Sequence, residues 1–532
     1  MEKQQINAVH PTTTVNKIGG ANMVQLDVVK NLIDKLESRQ ENVVLVVSAF
    51  EGVTNKLYAA MDALNGKDYS EEDIENAFQP VKQIHQAMID KFFIEEHAAA
   101  SAKETFDAGF GILKQSLLTH KQTSRILMPV KGSFGVRDQV IGFGERMAGA
   151  FLDLYLKKEG KESHFVDDIE VDQDTLHQGP VTDRSLHEAK KKGIQNAFRT
   201  VEATRANVTK ILGGHVLGTP KGLTVHQGRG YSDIMAVDTS LALEDMGEAV
   251  AATRFWKDVD GVYTANPKEL KEGKNNPFLH RDISNKEALE CASAGSGLIN
   301  VNAIALAGQH GLDLHIRNIK KLDPDYGTNV ITGNVITPHV FKTIVSAPNI
   351  DAITITLPEM ADKDGFLAAF SKIFAAHEVN IDQIGTAGTS ITFSIPNPND
   401  KADQEALRTR IRKVMSDLKT VEVKGDIFTV EDIEWNQTRA SVSVIGSELK
   451  DRPGILGSLA STLGSLGISV KIVSQDEEQG RVTFLIDRKD RKKAVRLLHS
   501  KYVDNDKKVI QKTEKRRKRM EKRFTGTYCT GT

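Results

Sequence analysis

Thr13-Thr14-Val15-Asn16-Lys17-Ile18-Gly19-Gly20 reads as a short strand that runs into a glycine turn, and its place at the head of a helix and a second strand decides the fold. Asn22 is placed to cap a helix in which Leu26, Val29, Leu32, Ile33 and Leu36 recur at helical spacing. Val43-Val44-Leu45-Val46-Val47 comes next, a short apolar run of the kind expected for a strand covered on both faces. Strand, helix, strand over residues 13–60 is a βαβ unit, and it predicts an α/β domain around a mainly parallel sheet. Such sheets place ligands beyond the carboxyl ends of their strands. Two loops fall there: Lys17 to Gly20, and the polar segment after Ser48-Ala49 that carries Glu51, Gly52, Thr54 and Asn55.

Working outward, residues 69–125 are rich in helix formers and nearly free of Gly and Pro, so they read as a helical insertion beside the sheet. Gly142-Phe143-Gly144-Glu145-Arg146 is expected to open another helix, and residues 161–217 alternate short strands and helices. Leu223-Thr224-Val225 looks β-like and Ile234 to Leu243 looks helical, with Gly228-Arg229-Gly230-Tyr231-Ser232-Asp233 between them. The expected order there is strand, glycine turn, helix, with Ser232 or Asp233 as the cap. Arg229 offers a planar fork of donors suited to a carboxylate or phosphate. A turn that presents Arg, Ser and Asp together favours a ligand site over a merely capped turn. Ala249 to Ala252 reads as a strand, and Asn266-Pro267 as a turn.

The composition changes near residue 350. Residues 350–430 read β-α-β-β-α-β, and residues 440–503 repeat the order, an internal duplication of small ferredoxin-like modules. The run from Lys507 to Arg523 is strongly basic around Lys515-Arg516-Arg517-Lys518-Arg519. It reads as a solvated helical tail, or as a contact for nucleic acid, an acidic partner or a membrane surface. Its lack of interleaved aromatic residues argues against single-stranded nucleic acid.

A chain of 532 residues is too long for one core and suggests roughly three or four domains. Hydrophobic residues make up 39% and charged residues 27%, the balance of a soluble globular protein. With 70 basic and 71 acidic side chains the net charge is −1, which argues against a whole-protein polyanion binder. The two cysteines, Cys291 and Cys529, make neither a disulfide framework nor a cysteine zinc site. No apolar run reaches the roughly 18 residues of a membrane span, and Met1 to Gln5 lacks a signal-peptide pattern, so the expected location is the cytoplasm.

Several pieces suggest phosphoryl transfer. Lys17 with Gly19-Gly20 supplies a cation and bare N–H groups ahead of a helix N-terminus, an anion-binding arrangement. A salt-bridged lysine beside a flexible turn would look the same. No Gly-x-x-x-x-Gly-Lys-Ser/Thr sequence occurs, so the P-loop class is out; the protein-kinase signatures are absent too.

Read together and in order, these stretches resemble the aspartate kinase family, a branch of the amino-acid kinases. The matching segments are Lys17-Ile18-Gly19-Gly20, Val46 to Ala49 with Gly52-Val53-Thr54-Asn55, Gly144-Glu145-Arg146, Gly228 to Asp233, and Asp258-Val259-Asp260-Gly261-Val262-Tyr263-Thr264. Ile283-Ser284, Glu287-Ala288 and Gly327-Thr328 come after them in family order. The two C-terminal modules resemble paired regulatory ACT domains.

The resemblance implies a three-layer kinase domain over 1–338, with its insertion at about 69–125, ACT modules over 339–434 and 435–505, and a basic tail over 506–532. It implies phosphorylation of the L-aspartate side-chain carboxylate by ATP with Mg2+, giving 4-phospho-L-aspartate, under control by an amino-acid effector such as lysine or threonine. Lys17 and Asp233 are the implied catalytic residues. Thr54, Glu145, Arg229, Ser232 and Asp233 would bind aspartate. Lys17, Gly19, Gly20, Lys257, Asp258, Tyr263 and Lys268 would bind ATP. Met360, Gly365, Phe366, Leu367, Ile381 and Asp382 mark the effector site, and no residue is assigned to a protein-held metal. A homodimer or higher oligomer through the ACT modules is expected, with neither a membrane nor a nucleic-acid partner. Glu145 paired with Arg146 or Arg137 on the surface, Tyr263 as plain core, and Phe366 and Leu367 as an ordinary helix face are the other readings of those residues.

The sequence also departs from the family pattern. Ala21-Asn22 stand where Thr-Ser is usual, Tyr231 where a further glycine is expected, and Lys257 where Thr is usual. Asn266-Pro267-Lys268 replaces Asp-Pro-Arg, Gly297 a phosphate-contacting Lys, Asn300-Val301 a His-Pro, and His215 a common Phe. These changes are expected to cluster at the nucleotide side, with Lys257 supplying the charge lost at Gly297. The competing readings are a metabolite sensor with a degenerate kinase domain and a kinase of another small amino acid.

Overall fold

The computed structural model describes residues 12–504, except 66–67, 127–134, 168, 177–180, 200–207, 220–221, 271–275, 334, 336–339, 399–400, 431, 447–448, 450–451 and 476–479. The basic run from Lys507 to Arg523 lies outside the described residues. The chain forms two compact units. One holds residues up to Val262, Arg281–Asn285 and Leu298–Gly333; the other holds Tyr263–His280, Lys286–Gly297 and the chain from Asn334. This division departs from the expected block over 1–338 at two internal segments, Tyr263–His280 and Lys286–Gly297, which group with the C-terminal part.

The first unit runs β1 (Thr12–Ile18), α1 (Gly20–Met23), α2 (Leu26–Glu37), β2 (Glu41–Val47), α3 (Val53–Leu64), α4 (Glu71–Phe92), α5 (Glu96–Ile126), α6 (Gly135–Lys158), β3 (Ser163–Val166), α7 (Gln173–Leu176), α8 (Asp183–Arg199), β4 (Thr209–Gly213), α9 (Leu223–Gln227), α10 (Tyr231–Asp245) and β5 (Val250–Lys257). The chain then places α11 (Pro267–Leu270) in the second unit and β6 (Asp282–Ser284) in the first. It crosses again within α12 (Asn285–Cys291) and completes the first unit with α13 (Val301–His310), β7 (Leu314–Asn318) and β8 (Gly327–Ile331).

One sheet organises this unit, in the order β3-β4-β2-β1-β5-β7-β8-β6, parallel throughout except where β7 meets β8. β2 is buried on both faces, as its unbroken apolar run predicts, and each such side chain contributes about 1.5–3 kcal/mol on burial. The apolar stripe of α2 is buried at Leu26, Val29, Leu32, Ile33 and Leu36, the five positions expected. Asn22 is a correction. It lies within α1 and donates from Nδ2 to the Trp256 carbonyl at 3.2 Å, while Gln25 stands at the cap of α2.

The helical insertion is α4 and α5. Ser70 and Asp73 form a reciprocal capping box at the start of α4. His85 of α4 packs among Phe50, Phe106, Phe143 and Phe151, and burial holds its imidazole down to about 4, hence uncharged. Phe50 thereby ties the loop after β2 to the insertion. Contrary to expectation, Gly142 to Arg146 lies inside α6 and does not open a helix. Its glycines serve close packing: a Cβ at Gly142 would stand 2.7 Å from His215 Nδ1, and one at Gly144 2.9 Å from Ala49 Cβ. Leu223 to Val225 is helical in α9, not a strand. Its first N–H donates to Asp138 Oδ1 at 2.8 Å, an anchor that favours a helix start.

The second unit continues with β9 (Thr343–Thr356), α14 (Phe366–Ala376), β10 (Gln383–Ala387), β11 (Ser390–Pro396), α15 (Lys401–Asp417), β12 (Thr420–Val423), β13 (Asp426–Thr429), β14 (Asp432–Ile445), α16 (Ile455–Gly464), β15 (Val470–Gln475), β16 (Arg481–Asp487) and α17 (Arg491–Leu498). Its sheet has the order β10-β11-β9-β14-β16-β15, and β12 pairs with β13 apart from it. β9 and β14 are long and antiparallel. The late half of β9 faces the early half of β14, as in Ile353 opposite Trp435, and the early half faces the late one, as in Val345 opposite Ser443. Each four-stranded module therefore borrows a strand half from across the other. Ile344 packs with Val442, Phe484 and Leu498, while Ile353 packs with Phe370, Phe393 and Ile411. The first module is thus inserted into the second, and the expected boundary at 434/435 falls inside β14.

The two early segments are tied into this unit by polar pairs. Glu269 meets Arg491 and Ser346, Glu287 meets Lys342, and Glu290 meets Arg481. Thr264 Oγ1 lies 2.9 Å from His499 Nε2. No helix among the described residues is long and apolar enough to cross a membrane.

Candidate active site

Four neighbouring strands of the first unit end in one row. Ile18 pairs with Val47 on one side and Trp256 on the other, and Val47 pairs with Gly213. The residues just past those ends therefore meet: Gly19-Gly20, Ser48-Ala49, Gly214 and Lys257. The first turn of α10 lies over them, closely enough that a Cβ on Gly214 would come within 2.3 Å of Ser232 Cβ. Gly230 caps α10 with φ +86, a left-handed conformation that suits glycine. This corrects the expected cap: Ser232 and Asp233 sit inside the first turn, both buried, and their side chains face the strand ends.

Asp233 is the centre of charge. Lys17 Nζ lies 2.7 Å from its Oδ1, Lys257 Nζ lies 3.6 Å from its Oδ2, and the Asn300 N–H donates to Oδ2 at 3.0 Å. Burial pushes the Asp233 carboxyl up, but the two ammonium groups and that N–H outweigh it and hold the carboxyl at about 2. Burial pushes Lys257 down to about 8, with Asp233 opposing the fall and Lys17 adding to it. Ser232 Oγ and Ser48 Oγ are 2.9 Å apart. Gly19 accepts from the N–H groups of Asn22 and Met23, and a Cβ on Gly20 would stand 2.6 Å from the Ala49 carbonyl oxygen.

Glu145 points inward, and Arg146 pairs instead with Asp167 at 2.9 Å, which removes the surface ion-pair reading. Tyr231 donates its hydroxyl to Glu145 Oε2 at 3.0 Å. Burial raises the Glu145 carboxyl to about 8, against the lowering effects of Tyr231, Lys17 and the Ala49 N–H. Tyr231 also meets His215 edge-on, with ring centroids 5.3 Å apart. Of the departures from the family pattern, Tyr231 thus lies against Glu145 and His215 packs against Tyr231, not beside Lys257 as expected.

Arg229 stands exposed at the mouth. It donates to Asn55 Oδ1 at 2.8 Å, and its guanidinium lies 5.0 Å from the Tyr58 ring centre. Asn300 Nδ2 holds the Arg229 carbonyl at 2.9 Å. Thr54 is in the first turn of α3, next to Asn55. Asn300 and Tyr58 were not singled out from sequence as site residues, and Asn55 was read only as part of the ligand-side loop. Asn300 is the N-cap of α13, the signal by which its position could have been found.

The remaining sequence-predicted residues are dispersed. Asp258 is exposed just past β5, and Tyr263 and Lys268 belong to the second unit. Tyr263 forms a backbone bridge to Leu279, and the Lys268 N–H donates to Asn266 Oδ1. Of the effector candidates, Phe366 is core, touching Phe370 and Phe428, and Met360 and Ile381 pack against the same core. Gly365 is the left-handed cap of α14 with φ +104, and Leu367 and Asp382 are on the surface side of that module.

A family model described as the amino acid kinase family matches residues 12–318, and one described as an ACT domain matches 442–502. The chain is 23% identical over 532 residues to an aspartokinase of Saccharomyces cerevisiae, covering 94% of each. It is 23% identical over 498 residues to the chloroplastic aspartokinase 1 of Arabidopsis thaliana, covering 93% of this chain and 80% of that one. Among solved structures it matches E. coli aspartokinase III in complex with lysine and aspartate, with a TM-score of 0.66 at 17% identity, covering 92% of this chain and 99% of that one. The same E. coli enzyme in complex with aspartate and ADP matches with a TM-score of 0.63 at 18% identity, covering 92% and 99%.

Proposed function

The chain belongs to the amino acid kinase family, and on that premise we propose that it transfers the γ-phosphoryl group of ATP to the side-chain carboxylate of L-aspartate. The observation that carries the reading is Asp233 gripped by Lys17 and Lys257 at the strand ends, with Glu145 and Arg229 beside it. The relatives' names agree with it.

The acceptor is a carboxylate, ionised at neutral pH because a free Asp carboxyl titrates near 3.9. No general base is needed. One acceptor oxygen forms a bond to the γ-phosphorus as the bond to the ADP oxygen breaks, and no proton moves. The work left to the protein is to bring two anions together and spread charge, by positioning and electrostatics. Lys17 supplies the cation for the transferring phosphoryl group. Asp233, held ionised, orients both ammonium groups and serves as a positioning anion. Arg229 takes the acceptor α-carboxylate at the mouth, Glu145 its ammonium in the interior, and Thr54 and Ser232 complete that wall. Gly19 and Gly20 offer bare backbone to the phosphates.

No group of three His, Cys, Asp or Glu that could hold a metal ion occurs among the described residues, and the Asp233 oxygens face Lys17, Lys257 and the Asn300 N–H. The donor set therefore suits an ion carried by the nucleotide, with the exposed Asp258 just past β5 as a carboxylate within the same row of strand ends. Asp258 would help hold such a Mg2+, which would supply charge neutralisation to the phosphates.

The inserted-module architecture supports control by an amino-acid effector and assembly through the second unit. Gly365, Leu367 and Asp382 are the candidates left on the surface for a ligand or a second copy. Aspartate, ATP, Mg2+ and hydroxylamine together test the reading. Aspartyl hydroxamate is expected; product only with another amino acid, or none, overturns the assignment.

A further inference from the structure

Beside the charged centre Glu145 heads a buried line of polar groups whose other members the phosphoryl-transfer reading leaves without a role. Asp138, Gly142 and Glu145 share one face of α6, spaced four and three residues apart. His215 presses on the bare backbone of Gly142, with Nε2 3.4 Å from Asp138 Oδ1. The Tyr231 ring stands edge-on to His215, and its hydroxyl reaches Glu145 Oε2. The side chains of Asp138, Glu145, His215 and Tyr231 are all buried. Tyr231 thus fills the space behind Glu145, and its single O–H proton is committed to that carboxylate.

Burying a tyrosine hydroxyl is costly unless it is bonded, so this bond fixes both partners. Glu145 faces the acceptor side from the interior, and where it points decides what it can meet. Resting on the acceptor role proposed for Glu145, we propose that Tyr231 is a positioning residue for the acceptor: it fixes the Glu145 carboxylate so that the site demands an α-ammonium group.

Tyr231→Phe keeps the ring and removes the bond. The expected result is a KM for aspartate raised about tenfold, as for loss of a hydrogen bond to a charged group, with kcat within about threefold. Inhibition by succinate, which lacks the ammonium, is expected to stay at its wild-type value. A merely structural wall would weaken aspartate and succinate alike, and that outcome overturns the proposal. So does an unchanged KM. The same substitution in a Glu145→Gln background keeps the test sound if folding suffers: the further change in KM is expected to be under about twofold, because the two act through one bond. Additive effects overturn the proposal. A wild type that makes no aspartyl hydroxamate overturns the aspartate assignment and this inference together. A wild type that makes it, with Tyr231→Phe unchanged, overturns the inference alone.

Discussion

Lys17 and Lys257 hold opposite oxygens of one carboxylate: Asp233 Oδ1 lies 2.7 Å from Lys17 and Oδ2 3.6 Å from Lys257. One buried anion therefore sets two cations side by side at the ends of β1 and β5. Such a pair repels itself when empty and suits a polyphosphate. Lys257→Ala is expected to raise the KM for ATP about tenfold or more, the scale of one charged hydrogen bond. In the wild type, affinity for ATP should fall as pH rises above about 8, where Lys257 loses its proton. If the variant's steady-state kinetics match the wild type in ATP KM and turnover, Lys257 does not replace the charge missing at Gly297.

Glu145 gives a pH dependence of the opposite sense. Its carboxyl sits at about 8 in the fold, above an ordinary value of 4.5, so it holds a proton at neutral pH. To pair with an ammonium it must release that proton. The KM for aspartate should fall about tenfold for each unit that pH rises towards 8 and level off above it. The stability sign has the same origin. The folded state binds this proton more tightly, so the contribution is full below pH 4.5 and is lost as pH rises towards 8. Glu145→Gln should therefore melt higher than the wild type at about pH 8.5 and show no such gain at about pH 4.5. A wild-type KM flat between about pH 6 and 8 would refute the assigned role.

Arg229 is exposed, and its partners are Asn55 and the Tyr58 face. Its removal should spare the fold and damage the site. Arg229→Ala is expected to raise the KM for aspartate about a hundredfold, with stability changed by under about 0.5 kcal/mol. Arg229→Lys keeps the charge but loses the planar fork, so it should recover little of the loss. Thermal melts and aspartate titrations on both variants check this; full rescue by Lys would mean that charge alone suffices.

Neighbouring positions on α14 separate core from surface. Phe366 is buried against Phe370 and Phe428, and Phe366→Ala should cost about 3–5 kcal/mol. Leu367 is 43% exposed, so Leu367→Ala should leave stability within about 0.5 kcal/mol. Inhibition by lysine or threonine is expected to weaken in Leu367→Ala. Inhibition curves unchanged from the wild type would place the effector elsewhere.

Legibility in the sequence depends on how local each signal is. The apolar run of β2 and the stripe of α2 carry their own burial pattern, and placing the strands also placed the residues past their ends. Lys17 and Lys257 stand at the ends of β1 and β5 for that reason, while Glu145, Ser232 and Asp233 come from α6 and α10. Leu223 to Val225 was not legible, because a short run rich in β-branched residues suits either element, and an anchor 85 residues away, Asp138, starts a helix there. Asn300 was not legible as a site residue, since its contacts with Asp233 and Arg229 arise only when α10 and α13 are packed. Repetition of βαββαβ revealed two modules but not their interleaving, which depends on register between two strands far apart in the chain.

That interleaving constrains how the chain can be made. The early half of β9 leaves the ribosome before the first module, yet its partner in β14 and the core that covers Ile344 emerge after that module. The second module cannot close until α17 has been synthesised, so for that interval the first half of β9 is an unpaired strand awaiting a late partner. Premature termination between the first module and β14 leaves that strand bare. The second module is therefore complete only on a chain translated through α17.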